Sequence, residues 1–95
     1  MMLTTEDIRT VVSGLAKQYH VRQISLFGSR AAGTSRNDSD VDLIVEFFDP
    51  VTLLTLSQLR CQLEDALHLD VDLVHGPLRD DDLLELGEVI ELYAA

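Results

Sequence analysis

Apolar positions along the chain change their spacing several times, and each change marks an element. Ile8, Val11, Val12, Leu15 and Tyr19 recur at intervals of three and four, which predicts a helix with one buried stripe. Thr4 or Thr5 can cap it, with Glu6 and Asp7 in the first turn where the helix dipole favours negative charge. Val21 to Phe27 then reads as a strand, Gly28-Ser29 as a turn into a short helix, and Arg36-Asn37-Asp38 as a polar loop. Val41 to Phe48 is a second strand. Asp49 as N-cap and Pro50 at the first helical position predict a further helix with Leu56, Leu59, Leu63 and Leu67 on its core face. Val71 to His75 is a third strand closed by Gly76-Pro77. Asp80 is expected to cap a last helix with an inner stripe of Leu83, Leu86, Ile90 and Tyr93.

The order α-β-α-β-α-β-α predicts an α/β fold, a small sheet with helices packed on it. With 95 residues and no repeat, low-complexity tract or linker, residues 1–95 are expected to form a single domain around one modest core. One feature leaves two readings open. Val51, Leu54 and Cys61 form a second apolar stripe opposite the leucine face, which suits burial on both sides or a groove for a partner.

Composition adds limits. A hydrophobic fraction of 46% is that of a globular chain. No apolar run approaches the ~20 residues that span a bilayer, and no basic start precedes an apolar stretch as in a signal peptide. The single cysteine, Cys61, has no internal partner, which fits a cytoplasmic protein; it is read as a small packing residue. The net charge of −10 is unevenly spread. Residues 1–60 carry six basic and seven acidic side chains, whereas residues 61–95 carry ten acidic ones against Arg79 alone. Phosphate backbones attract basic surfaces, so direct nucleic-acid binding is disfavoured. An acidic face suits a basic protein partner, although it also serves solubility.

The candidate chemistry lies between the strands. Asp40 and Asp42, one residue apart, point to the same face of a strand, where like charges repel and an apolar strand gains nothing from them. A divalent cation between them would explain the pair. Asp72 sits in a matching apolar run, Val71-Asp72-Leu73-Val74. Three carboxylates on neighbouring strands beside a Gly-Ser turn look like a two-metal phosphoryl or nucleotidyl transfer site. At that turn Gly28 would permit close approach of phosphates, Ser29 could add a hydroxyl hydrogen bond, and Arg30 could pair with phosphate oxygens.

The string Gly28-Ser29-Arg30-Ala31-Ala32-Gly33 followed by Ser39-Asp40-Val41-Asp42-Leu43, with the later Asp72, resembles the DNA polymerase beta-like nucleotidyltransferases, and within them the minimal nucleotidyltransferase antitoxins. The resemblance spans nearly the whole chain. It implies a small mixed sheet with a polymerase beta-like core. It implies ATP as substrate and two Mg²⁺ ions, both held by Asp40 and Asp42. Asp72 would complete the catalytic metal and help deprotonate the attacking hydroxyl. It further implies transfer of AMP to a hydroxyl, that of a tyrosine, on a cognate HEPN-type ribonuclease toxin. The alternative is an antitoxin that neutralises its partner by binding alone, and a weaker third reading is adenylylation of a small molecule. One departure stands out: members of that branch often carry a second basic residue two positions after Arg30, and here it is Ala32. A homo-oligomer stays open.

Other motifs fail on single residues. Gly28-x4-Gly33 nearly spells a P-loop, but Thr34 stands where the lysine belongs. Asp38, Asp40 and Asp42 mimic the start of an EF-hand loop, yet Leu43 occupies the position that demands glycine. His20, His68 and His75 have no metal-ligand spacing, though His75 lies just past Asp72 and could approach the site.

Overall fold

Helix α1 (Thr5–Gln18) begins with a reciprocal cap. The Thr4 hydroxyl accepts from the Asp7 N–H at 3.1 Å, and the Thr4 N–H donates to Asp7 Oδ2 at 3.0 Å. Both bonds satisfy backbone or side-chain groups that the first turn would otherwise leave unmatched. The computed structural model describes residues 4–33, 40–76 and 87–95. In it α1 is followed by β1 (Val21–Phe27), the single turn α2 (Ser29–Ala32), β2 (Val41–Phe47), α3 (Leu53–Leu67), β3 (Val71–His75) and β4 (Val89–Ala94). The loop expected at residues 36–38 and the helix start expected at Asp80 lie outside the described residues.

The strands form one mixed sheet in the order β3-β2-β1-β4. β1 runs antiparallel to both β2 and β4, and β2 runs parallel to β3. A parallel neighbour needs a crossover, and α3 supplies it. Ile8, Val12 and Ala16 of α1 and Leu59, Leu63 and Leu67 of α3 are buried against Ile24, Leu26, Leu43 and Val45 of the sheet. Strand alternation and the pairing register put Ser25, Phe27, Asp42, Ile44, Asp72, Val74, Val89 and Glu91 on the opposite face. Among the described residues no helix is long and apolar enough to cross a membrane.

Three expectations need correction. The last segment is a strand where it is described: Ile90 and Tyr93 belong to β4, paired with Leu26 and Ile24. Val89, Ile90 and Tyr93 are strand-favouring residues, and β1 would otherwise expose an unpaired edge. The register slips between Ile24 and Ser25, and Leu92 in that slip is buried in the core. Second, α3 is capped by Thr52, whose hydroxyl accepts from the Thr55 N–H at 3.3 Å, and not by Asp49. The chain leaves the sheet after Phe47 and must climb to the helix layer before it can coil, so Asp49 and Pro50 are spent on the ascent. Third, Cys61 is exposed and lies outside the core. The leucine face of α3 and the strands β1, β2 and β3 stand as expected, with β2 ending one residue earlier, at Phe47.

The cap assignment is testable by thermal or urea unfolding. Thr52→Ala should cost about 1 kcal/mol, whereas Asp49→Ala should stay within about 0.5 kcal/mol of wild type.

Candidate active site

The parallel pairing of β2 with β3 builds the site. The Val41 N–H donates to the Asp70 carbonyl at 2.9 Å and fixes the two strand starts side by side. From there Val41 pairs with Val71 and Asp42 with Asp72. Helix α3 adds a second tether: Glu64 Oε2 accepts from the Val71 N–H at 3.1 Å, one residue before Asp72. Nothing in the motif pattern pointed to Glu64, because its partner is a backbone group seven residues on.

Asp42 and Asp72 therefore share one face of adjacent strands, close enough for their carboxyl groups to hydrogen-bond. Two carboxylates can do this only if one holds a proton. Burial, then the Asp72 charge and that hydrogen bond, then the Asp40 charge, push the Asp42 carboxyl above the ordinary aspartate range. Asp40 is exposed and sits immediately before β2, so its charge reaches the pair from the margin. Among the described residues no three His, Cys, Asp or Glu side chains gather into a ready metal cluster. Mg²⁺ does not require one, since it is usually held by one or two carboxylates together with waters and substrate phosphates. A pair of hard oxygen ligands whose mutual repulsion is relieved by a proton fits such an ion.

Gly28 joins this pair from β1. Phe27 pairs with Asp42, and Gly28 follows at φ 76°, ψ −153°, a backbone shape that side chains strongly disfavour. A Cβ built on Gly28 would overlap Asp42 Oδ2. The glycine is thus required for the seat of the Asp42 carboxylate itself, a stronger reason than room for a phosphate. Ser29 and Arg30 open α2 directly after it, and both interact with neighbouring groups. Arg30 is only 7% exposed, so its guanidinium is built into the protein and does not reach out freely into solvent. His75 stays away. It pairs with Val45 and lies edge-on to Phe47, 5.6 Å between ring centroids, on the helix-covered face.

The family model described as Polymerase beta, Nucleotidyltransferase matches residues 9–91. The chain belongs to that family. The nucleotidyltransferase is 40% identical over 77 residues to the protein adenylyltransferase MntA of Thermococcus cleftensis, covering 77% of this chain and 78% of that one. A Methanocaldococcus jannaschii relative, also named as a protein adenylyltransferase, is 30% identical over 93 residues, 93% of this chain and 100% of its own. Among solved structures, a minimal nucleotidyltransferase superposes with TM-score 0.74 at 32% identity, covering 93% and 95% of the two chains. A toxin–antitoxin crystal structure with AMP-PNP gives TM-score 0.76 at 26% identity over 92% of this chain and 73% of that one. The fold is also that of an antitoxin of the same minimal type in complex with an AMPylated HEPN toxin from Shewanella oneidensis, with TM-score 0.72 at 22% identity over 97% of this chain and 74% of that one. The polymerase beta-like fold and the minimal nucleotidyltransferase type expected from the Gly-Ser and Asp-x-Asp motifs are thereby shown.

The like-charge pair has a stability signature in the metal-free nucleotidyltransferase. Asp42→Asn removes the repulsion and should raise stability near neutral pH by about 0.5 kcal/mol, or ~2–4 °C in Tm. The proton that Asp42 holds favours the folded state below the ordinary aspartate range. That contribution is lost as pH rises through the raised value. Wild type measured in EDTA should therefore lose stability relative to Asp42→Asn on going from acid to neutral pH. A difference between the two that does not vary with pH would contradict the pairing. Gly28→Ala should cost about 1–3 kcal/mol through strained backbone.

Proposed function

We propose that this nucleotidyltransferase transfers AMP from ATP to a hydroxyl group of a partner protein, a HEPN-type toxin, with tyrosine as the acceptor. The observation that carries the reading is the register match of Asp42 with Asp72 beside the side-chain-free Gly28. It is supported by relatives named as protein adenylyltransferases and by the likeness to a toxin–antitoxin structure with AMP-PNP.

In this reading the acceptor oxygen forms a bond to the α-phosphorus of ATP while the bond to the bridging oxygen breaks and pyrophosphate leaves. Asp72 takes the proton of the attacking hydroxyl. Gly28 and Ser29 lie against the phosphates, with Arg30 contributing its positive charge from within the fold. Asp40, Asp42 and Asp72 would hold Mg²⁺, which neutralises charge on the attacking and leaving oxygens when bound. The cytoplasm supplies both ATP and Mg²⁺.

A second reading, neutralisation by binding alone, is favoured by one position: Ala32 is exposed and uncharged where a second cation would face the triphosphate. Intact-mass measurement of the partner separates the two. With ATP and Mg²⁺, wild type should add one or more AMP groups. Asp72→Asn should bind the partner equally well and modify it ~10³-fold more slowly or less. Neutralisation with no mass change even by wild type would leave the binding antitoxin standing. The metal assignment has its own readout. Mg²⁺ at ten times its dissociation constant should stabilise wild type by ~1.4 kcal/mol, and Asp40→Asn with Asp42→Asn should abolish the gain.

A further inference from the structure

Large apolar side chains left exposed are not scattered over this protein. Among the described residues they are Phe48, Leu53, Leu54 and Val89, and three of the four fall in the short stretch that leaves β2 and starts α3. Leu53 is 81% exposed and Leu54 67%. Leu54 and the exposed Cys61 lie across α3 from its buried leucines, so the second stripe of this helix is not buried within the fold. Alongside it run two adjoining clefts of about 400 and 540 Å³ that share Tyr19 and Gln58.

The charge of this surface is as informative as its apolarity. The chain carries 17 acidic side chains, yet Asp49 is the one carboxylate among the described residues that line the two clefts. The other polar groups there are the amides of Gln18, Gln58 and Gln62, the hydroxyls of Tyr19, Thr55 and Ser57, and the His20 imidazole. Amides and hydroxyls both donate and accept, so a surface that mixes them with apolar side chains can be complementary to itself. A basic partner gains nothing from a neutral patch and would be drawn to the acidic faces elsewhere. Another copy of this chain, at net charge −10, is repelled everywhere except where the acid is missing.

We propose that the outer face of α3 around Leu53, Leu54 and Cys61, with Tyr19 and Phe48 at its border, is a two-fold self-association surface whose occupant is a second copy of this chain. Asp42 lies at the other end of β2 from Phe47, about 16 Å away by strand rise, on the sheet face opposite α3. Pairing through α3 therefore leaves both active sites open to substrate and partner. The proposal is independent of which acceptor the enzyme modifies.

The test is mass in solution by sedimentation or light scattering, with the chain alone. Wild type should rise from 10.6 kDa toward twice that value with concentration. Added salt should favour the dimer, because screening removes the repulsion between the two acidic bodies. Leu54→Glu should weaken association at least ~100-fold while keeping the wild-type circular dichroism; Leu53→Glu provides the same test should Leu54→Glu fail to fold. Leu54→Lys alone should also be monomeric, and mixing it with Leu54→Glu should strengthen association over either variant alone, because the two patches then carry opposite charge. Wild type that stays monomeric, a dimer that salt dissociates, or one unaffected by these substitutions would each overturn the proposal.

Discussion

Two carboxylates held in register on neighbouring strands repel each other, and much of this small protein is arranged to keep Asp42 and Asp72 together. The backbone bond from Val41 to Asp70 aligns the strands, and Glu64 pins Val71. Gly28 gives up a side chain so that the Asp42 carboxylate has somewhere to sit. The hydrogen bonds hold the strands together, but the carboxylate pair they align does not itself stabilise the metal-free chain. The upward shift of the Asp42 carboxyl points the other way, since burial and the neighbouring Asp72 disfavour its ionised form in the folded state. Residues that oppose folding while surrounded by careful supports are the mark of a site kept for chemistry.

The fold distributes its tasks by face. Helices α1 and α3 cover one side of the sheet, and their aliphatic side chains meet those of the strands to form the core. That leaves the other side available for the Asp42–Asp72 row. Because α3 is also the crossover that makes β2 and β3 parallel, one helix closes the core, sets the carboxylate register and turns an apolar outer stripe to solvent. A substitution on its inner face, such as at Leu59 or Leu63, should therefore disturb the site through strand register as well as through lost burial.

Much of this was legible in the sequence. The strands β1, β2 and β3 follow from dense apolar runs bounded by Gly28, by polar residues and by Gly76, and the Gly-Ser turn with Asp40, Asp42 and Asp72 gave both the chemistry and the family. The failures share a cause. Leu83, Leu86, Ile90 and Tyr93 satisfy a three-and-four spacing, and only the unfilled edge of β1, a feature of tertiary structure, decides that Ile90 and Tyr93 belong to a strand. Asp49-Pro50 is a good helix start locally, but the distance between sheet and helix layers hands the cap to Thr52. Gly28 was legible as a position that must lack a side chain, but the Asp42 carboxylate that a Cβ there would meet, fourteen residues on, was not. Gly87, with a positive φ just before β4, was the local signal that could have separated a final strand from a continuing helix.

The place of β4 also governs the life of the chain during its manufacture. Every residue of the candidate site lies between Gly28 and Asp72, yet β1, which carries Gly28 at its end, stays unpaired along one edge until Val89–Ala94 arrives. Translation runs from the N-terminus at about 5–20 residues per second, so the site-bearing strands emerge first and wait with an open edge. During that interval the nascent protein presents the unpaired backbone edge of β1, the surface that invites strand addition by other chains. A chain cut short before Val89 would carry every chemical group of the candidate site and no β4 to cover the edge of β1.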